Sequence, residues 1–259
     1  EARDLMIDGA DGKIPARLYV PAGAPATTPG LVYFHGGGFA IGDLETHDGH
    51  CRRLAAHSGF RVLSVDYRLA PEHPFPAGHD DALAATRWAF DHAAEIGFDP
   101  KKIAVGGCSA GGNLAASVSI DLKNDPVRRL SLQMLLYPGI WPEAETASRQ
   151  RLDGPILTKA AIAWFDKCLA AIGHPQAHRA MLGKADVSGT APALVVTAGY
   201  DPLQDEGRDY AERLNAAGVK AQHLHYPDMV HDFYIMGDIS PAVDAAAKEA
   251  AEALRAAMA

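Results

Sequence analysis

The sequence predicts an α/β protein built on a mostly parallel sheet with helices on both faces. Three observations lead there. From residue 31 onward, short apolar runs alternate with helix-like segments, the pattern of strands joined by crossover helices. One run, Ile103-Ala104-Val105, passes through Gly107-Cys108-Ser109-Ala110-Gly111-Gly112 straight into a helix-compatible stretch of small residues. Finally, 259 residues with 48% hydrophobic and 22% charged side chains are enough for one sizeable core and are not the composition of a disordered or fibrous chain.

Taken in order, residues 14–20 alternate like an edge strand, and Pro15 is tolerated only there or at a bulge. Residues 21–30 form a Pro/Gly/Thr-rich loop. Residues 31–34 make a buried-type strand that runs into His35-Gly36-Gly37-Gly38-Phe39. Residues 46–57 read as a helix, 60–67 as the next strand, and 80–94 as a helix carrying Leu83, Trp88 and Phe90. After the glycine-rich turn and its helix comes a strand at 130–137, ended by Pro138. Residues 139–192 then break the rhythm, with no strong strand and one helix at 158–171. An excursion of that length between sheet strands predicts a functional lid inside a single domain spanning 1–259. A strand at 193–199, a helix at 204–217 capped by Gly218, a strand at 221–226 and an alanine-rich helix at 241–257 complete the chain.

Composition narrows the function. The net charge is −8 with no Lys/Arg-rich block, which argues against nucleic acid or an anionic membrane surface as partner. No run approaches the apolar length of a membrane span. Cys51, Cys108 and Cys168 are widely spaced, and the 12 histidines form no His-Glu-x-x-His pattern, so no disulfide framework, metal or cofactor is expected. The absence of a signal-peptide pattern reads as cytoplasmic, although the chain begins at Glu1.

Chemistry gathers at the predicted strand ends. A Gly-x-Ser-x-Gly turn from strand to helix presents Ser109 as a nucleophile at a sharp elbow, where the helix N-terminus favours negative charge. The glycines after His35 can turn main-chain N–H groups toward an oxyanion, and no Gly-Lys-Ser/Thr phosphate loop follows them. Asp201, 92 residues beyond Ser109, is the best orienting acid, with Asp205 a weaker candidate inside the next helix. His231, 30 residues further, is the base; His223 and His225 sit within a strand as surface or packing residues. Nucleophile, acid and histidine thus fall in the order Ser, Asp, His.

His-Gly-Gly-Gly-Phe at 35–39, Tyr67-Arg68-Leu69-Ala70-Pro71-Glu72, Phe75-Pro76-Ala77, the elbow at 107–112, Asp201-Pro202-Leu203-x-Asp205-Glu206-Gly207 and His231-x-Phe233 together resemble the bacterial hormone-sensitive-lipase-like esterases. The resemblance spans nearly the whole chain. It implies an eight-stranded α/β-hydrolase sheet with a partial lid, and hydrolysis of short- to medium-chain esters as small-molecule substrates. It implies Ser109 as nucleophile, His231 as general base and acid, and Asp201 as its carboxylate, with oxyanion donors at Gly37, Gly38 and Ala110. A receptor-like or weakly active member of the fold, or an amidase or lactonase with the same residues, is the alternative reading.

Three departures stand out. Cys108 replaces the usual Asp or Thr before the nucleophile and is expected to be a small buried neighbour. Asp232 follows the base where Gly is common, and is expected either to raise the His231 pKa or to point into solvent. Little precedes Ile14, where relatives carry cap helices. A more open acyl pocket is therefore expected, leaving substrate-binding Phe39, Trp164 and Phe165 as an apolar patch that invites a homodimer.

Overall fold

The computed structural model describes residues 1–140, 145–237 and 239–258. Its strands are β1 (Ala2–Gly9), β2 (Gly12–Tyr19), β3 (Thr28–Phe34), β4 (Arg61–Val65), β5 (Phe98–Cys108), β6 (Leu132–Leu136), β7 (Ala193–Tyr200) and β8 (Ala221–Val230). They form one eight-stranded sheet in the order β1-β2-β4-β3-β5-β6-β7-β8. From β4 to β8 every neighbour is parallel, and only β2 runs against its two neighbours. The helices are α1 (Asp48–Ser58), α2 (Ala77–Asp91), α3 (Ala93–Ile96), α4 (Ala110–Leu122), α5 (Ala147–Arg151), α6 (Lys159–Leu169), α7 (Gln204–Ala216) and α8 (Pro241–Ala257).

The two-residue period of a strand divides the interior into two cores. In β3, Leu31 and Tyr33 face one side with Cys51 and Leu54 of α1 and Val243, Ala247 and Leu254 of α8. Val32 and Phe34 face the other, among Ala82 and Ala85 of α2, Leu114 and Ala115 of α4, and Tyr210 and Leu214 of α7. Because both faces are covered, these strands read as continuous apolar runs rather than alternating ones.

The expected edge position of Pro15 is corrected. A full strand, β1, precedes it, pairing Met6 with Pro15, so β2 lies inside the sheet. Proline is accommodated because its pairing with β4 ends there: the β2/β4 register begins at Ala16, and the Pro15 carbonyl accepts the N–H of Asp66 at 3.0 Å. N–H and C=O of one strand residue point to the same side, so the missing donor falls at the ladder's last rung.

Between β6, ending at Leu136, and β7, beginning at Ala193, the chain makes a long excursion, of which 141–144 lie outside the described residues. It contains α5, α6 and two short 3₁₀ turns, and both helices begin on a threonine cap, Thr146 accepting from Arg149 N–H and Thr158 from Ala161 N–H. Asn113 of α4 ties this excursion down. Its amide donates to the carbonyls of Gly139 and Ala180, each at 2.7 Å.

Candidate active site

Four strands deliver the site at their C-terminal ends. β5 ends at Cys108, and Ser109 makes the turn into α4 with φ 53° and ψ −117°. A non-glycine residue held there costs about 1–3 kcal/mol. The Ser109 N–H donates to the Leu136 carbonyl at 2.9 Å, and its own carbonyl accepts from Gly139 at 3.1 Å, which offsets that strain. Gly111 is required by close approach, since a Cβ there would lie 2.0 Å from the Phe34 carbonyl oxygen.

β7 delivers Asp201, which is fully buried. Its Oδ1 accepts the Leu203 N–H at 2.8 Å and its Oδ2 accepts from His231 Nδ1 at 2.7 Å. β8 extends to Val230, four residues past the expected end, and His231 follows at once. With Nδ1–H committed to Asp201, the His231 Nε2 lone pair meets the Ser109 hydroxyl at 2.9 Å. Burial lowers the imidazole pKa, but the Asp201 charge and hydrogen bond, with added field from Asp232 and Glu206, leave it raised overall. Asp205 stands apart: its Oδ2 accepts the Ser148 N–H at 2.7 Å and its Oδ1 pairs with Arg208 at 2.9 Å. His223 and His225 both bond Thr197 Oγ1 across the β7/β8 pair.

β3 delivers the glycine loop. Gly37 and Gly38 have φ 114° and 57°, and their N–H groups have no acceptor among the described residues. Ala110 opens α4, so its N–H is one of the helix's unpaired donors. The loop is held from behind: Tyr67 donates to the His35 carbonyl at 2.9 Å and its ring stacks on His35 at 4.3 Å. Arg68 in turn donates to both oxygens of the buried Asp81, which explains the Tyr67-Arg68 motif as scaffolding.

A cleft opens beside Ser109, its empty space together with adjoining open solvent about 440 Å³, walled by Gly38, Phe39, Ala110, Leu157, Phe165 and Leu203 among others. Phe165 packs over Gly38, where an added Cβ would fall 2.1 Å from the ring. Trp164 does not line this cleft; it is 49% exposed on the outer side of α6. Sequence reasoning missed Arg149, Ile162 and Asp166 in the wall. Arg149 Nε donates to the buried Glu206 carboxylate at 2.7 Å, and the other Glu206 oxygen accepts the Ile140 N–H at 2.8 Å. Asp232 does not point wholly into solvent: it is half-buried at φ 62°, the left-handed region that explains glycine's frequency there.

An α/β-hydrolase-fold family matches residues 31–235, four-fifths of the chain. The chain belongs to the hormone-sensitive-lipase-like esterases of that fold. This esterase is 41% identical over 258 residues to Esterase LipI of Mycobacterium tuberculosis, covering 97% of this chain and 81% of the relative. It is 37% identical to the ethyl acetate hydrolase of Pseudomonas putida, covering 97% and 81%. Among solved structures, an esterase of Pyrobaculum calidifontis superposes with a TM-score of 0.93 at 42% identity, covering 100% of this chain and 87% of that one. The metagenomic carboxylesterase EstE1 gives 0.94 at 42% identity, covering 100% and 90%. No helix among the described residues is long and apolar enough to cross a membrane.

Proposed function

We propose that this esterase cleaves short- to medium-chain carboxylic esters by two-step acyl transfer through Ser109. The observation that carries the reading is the relay from Ser109 Oγ to His231 Nε2 at 2.9 Å and from His231 Nδ1 to Asp201 Oδ2 at 2.7 Å. As Ser109 Oγ attacks the ester carbonyl, Nε2 takes its proton and Asp201 stabilises the imidazolium. The oxyanion meets the N–H groups of Gly37, Gly38 and Ala110, one such donor being worth about 2.7–4 kcal/mol in a studied case. Collapse breaks the ester C–O bond and the alcohol leaves with the proton from His231. Water, deprotonated by the same nitrogen, then attacks the acyl-enzyme and frees the acid and Ser109.

The acyl group occupies the cleft between Phe39, Leu157, Phe165 and Leu203, beneath the 139–192 excursion acting as lid. Each methylene buried there adds about 0.8 kcal/mol until the space is filled. A narrow apolar cleft, open to solvent at one side, suits a small acyl chain. The ethyl acetate hydrolase among its relatives supports the same size class. Ser109→Ala is expected to reduce p-nitrophenyl butyrate hydrolysis to the uncatalysed background. A variant retaining activity within tenfold of the parent would mean that another nucleophile does the work.

A further inference from the structure

Beneath the nucleophile, on the sheet face covered by α1 and α8, three ligating side chains converge that the acyl-transfer reaction does not use. His47 precedes α1, Cys108 ends β5, and Asp232 stands two residues beyond β8. One ligating atom of each lies within 4.8 Å of the other two. His47 and Cys108 are buried, at 4% and 0% exposure, with Nε2 and Sγ 3.3 Å apart. The buried Oδ1 of Asp232 accepts no hydrogen bond from any described residue, an arrangement that demands an explanation in a folded protein.

The histidine is preset as a ligand. Thr46 Oγ1 donates its single proton to the Asp43 carbonyl at 2.9 Å, so in its 3.0 Å contact with His47 Nδ1 it must accept. Nδ1 therefore carries the ring proton and Nε2 the lone pair, which is consistent with the Gly36 N–H pointing at Nε2 at 3.2 Å. A ring N–H held by an outer oxygen while the other nitrogen faces inward is the usual posture of a metal-binding histidine.

We propose that His47, Cys108 and Asp232 form a site for a borderline-soft divalent cation of the Zn²⁺ or Co²⁺ class, whose binding slows ester hydrolysis. Thiolate, imidazole and carboxylate are the donor set that suits these ions, and two anionic ligands neutralise the dication in a buried place. Bonds of about 2.0 Å to N or O and 2.3 Å to S put tetrahedral ligand atoms about 3.3–3.6 Å apart. The His47–Cys108 pair already meets that spacing, and a carboxylate oxygen of Asp232 lies within 4.8 Å of both, so it has to close in on binding. On binding, the Cys108 thiol gives its proton to water, the sulfur–metal bond forms, and the Nε2 lone pair leaves the Gly36 N–H for the metal. Gly36 then loses the acceptor that anchors Gly37 and Gly38, and Cys108 is drawn away from its neighbour Ser109. The loss of activity rests on the acyl-transfer reading; the site itself does not.

The test is a Co²⁺ titration of the chelator-treated full chain. The expected result is a near-ultraviolet thiolate-to-cobalt charge-transfer band saturating at one ion per chain, bleached by Zn²⁺, with kcat falling in parallel. Cys108→Ser abolishes the band. Asp232→Asn and His47→Gln, confirmed as folded by thermal unfolding, weaken Co²⁺ binding at least about tenfold. No band, or a band of full strength in Cys108→Ser, overturns the site. A saturated band with unchanged kcat overturns its coupling to the glycine loop. Failure of the acyl-transfer reading shows up elsewhere, as activity surviving in Ser109→Ala.

Discussion

Replacing Asp201 by Asn changes one oxygen for an NH₂, and the surroundings decide where that group points. Oδ1 accepts the Leu203 N–H at 2.8 Å and Oδ2 accepts from His231 at 2.7 Å, with the residue wholly buried. The amide oxygen must stay on Leu203, because the reverse orientation sets two donors against each other and leaves a buried N–H unpaired, at about 1–3 kcal/mol. The NH₂ therefore faces His231 Nδ1, which must present a lone pair, and the ring proton moves to Nε2. Nε2 then points a donor at the Ser109 hydroxyl and cannot take its proton. The same tautomer error in a serine protease costs about 10⁴ in kcat, about 5.4 kcal/mol of transition-state stabilisation. Initial rates on p-nitrophenyl butyrate should show that fall in kcat with KM changed by no more than a few-fold. Asp205→Asn is the control: its carboxylate serves Ser148 and Arg208, so a few-fold change at most is expected. If kcat of Asp201→Asn stays within tenfold of the parent, Asp201 does not orient the base.

Two further perturbations probe the cleft and the scaffold. Phe165→Ala opens the wall over Gly38 and should raise KM for butyrate several-fold more than for acetate esters, whereas Trp164→Ala, outside the cleft, should leave both within twofold; equal effects from the two would contradict the assigned wall. His79 is fully buried, donating from Nε2 to Asn113 at 3.1 Å, and burial pushes its pKa from 6.5 down to about 3. Such a histidine is protonated first in the unfolded chain, so stability falls as pH drops from 6.5 toward about 3, by about 1.4 kcal/mol per pH unit for that one group. Urea unfolding followed by tryptophan fluorescence should give His79→Gln a shallower decline by that amount, and parallel curves for parent and variant would refute it.

The parallel core was legible because its strands are buried on both faces and leave unbroken apolar runs such as Leu31-Val32-Tyr33-Phe34. The elbow was legible because close approach at Gly111 admits no side chain. β1 was not, since its apolar run Leu5-Met6-Ile7 is only three residues long between Arg3-Asp4 and Asp8, and pairing with β2 is what reveals it as a strand. The cleft wall was harder still. Arg149, Leu157, Ile162 and Asp166 come from two short helices and a loop whose relative placement no local periodicity encodes. Neighbours on a helix lie about 100° apart, and α6 turns Phe165 and Asp166 to the cleft while Trp164 is left 49% exposed outside it. The sequence shows both as aromatic without showing the phase.

The two departures at 108 and 232 were visible individually but not as a pair. They are 124 residues apart, and each alone has an undemanding explanation: a small buried thiol, an exposed acid. The parallel sheet removes that independence. β5 and β8 end on the same side, and the turn after β8 that seats His231 against Ser109 also swings Asp232, at φ 62°, back toward Cys108. Seating His231 against Ser109 therefore forces the residue after it into the ground beneath Ser109. Glycine there would leave only His47 and Cys108 in that ground. Aspartate, with Cys108 and His47, turns it into a set of ligating groups one hydrogen bond away from the glycine loop at Gly36.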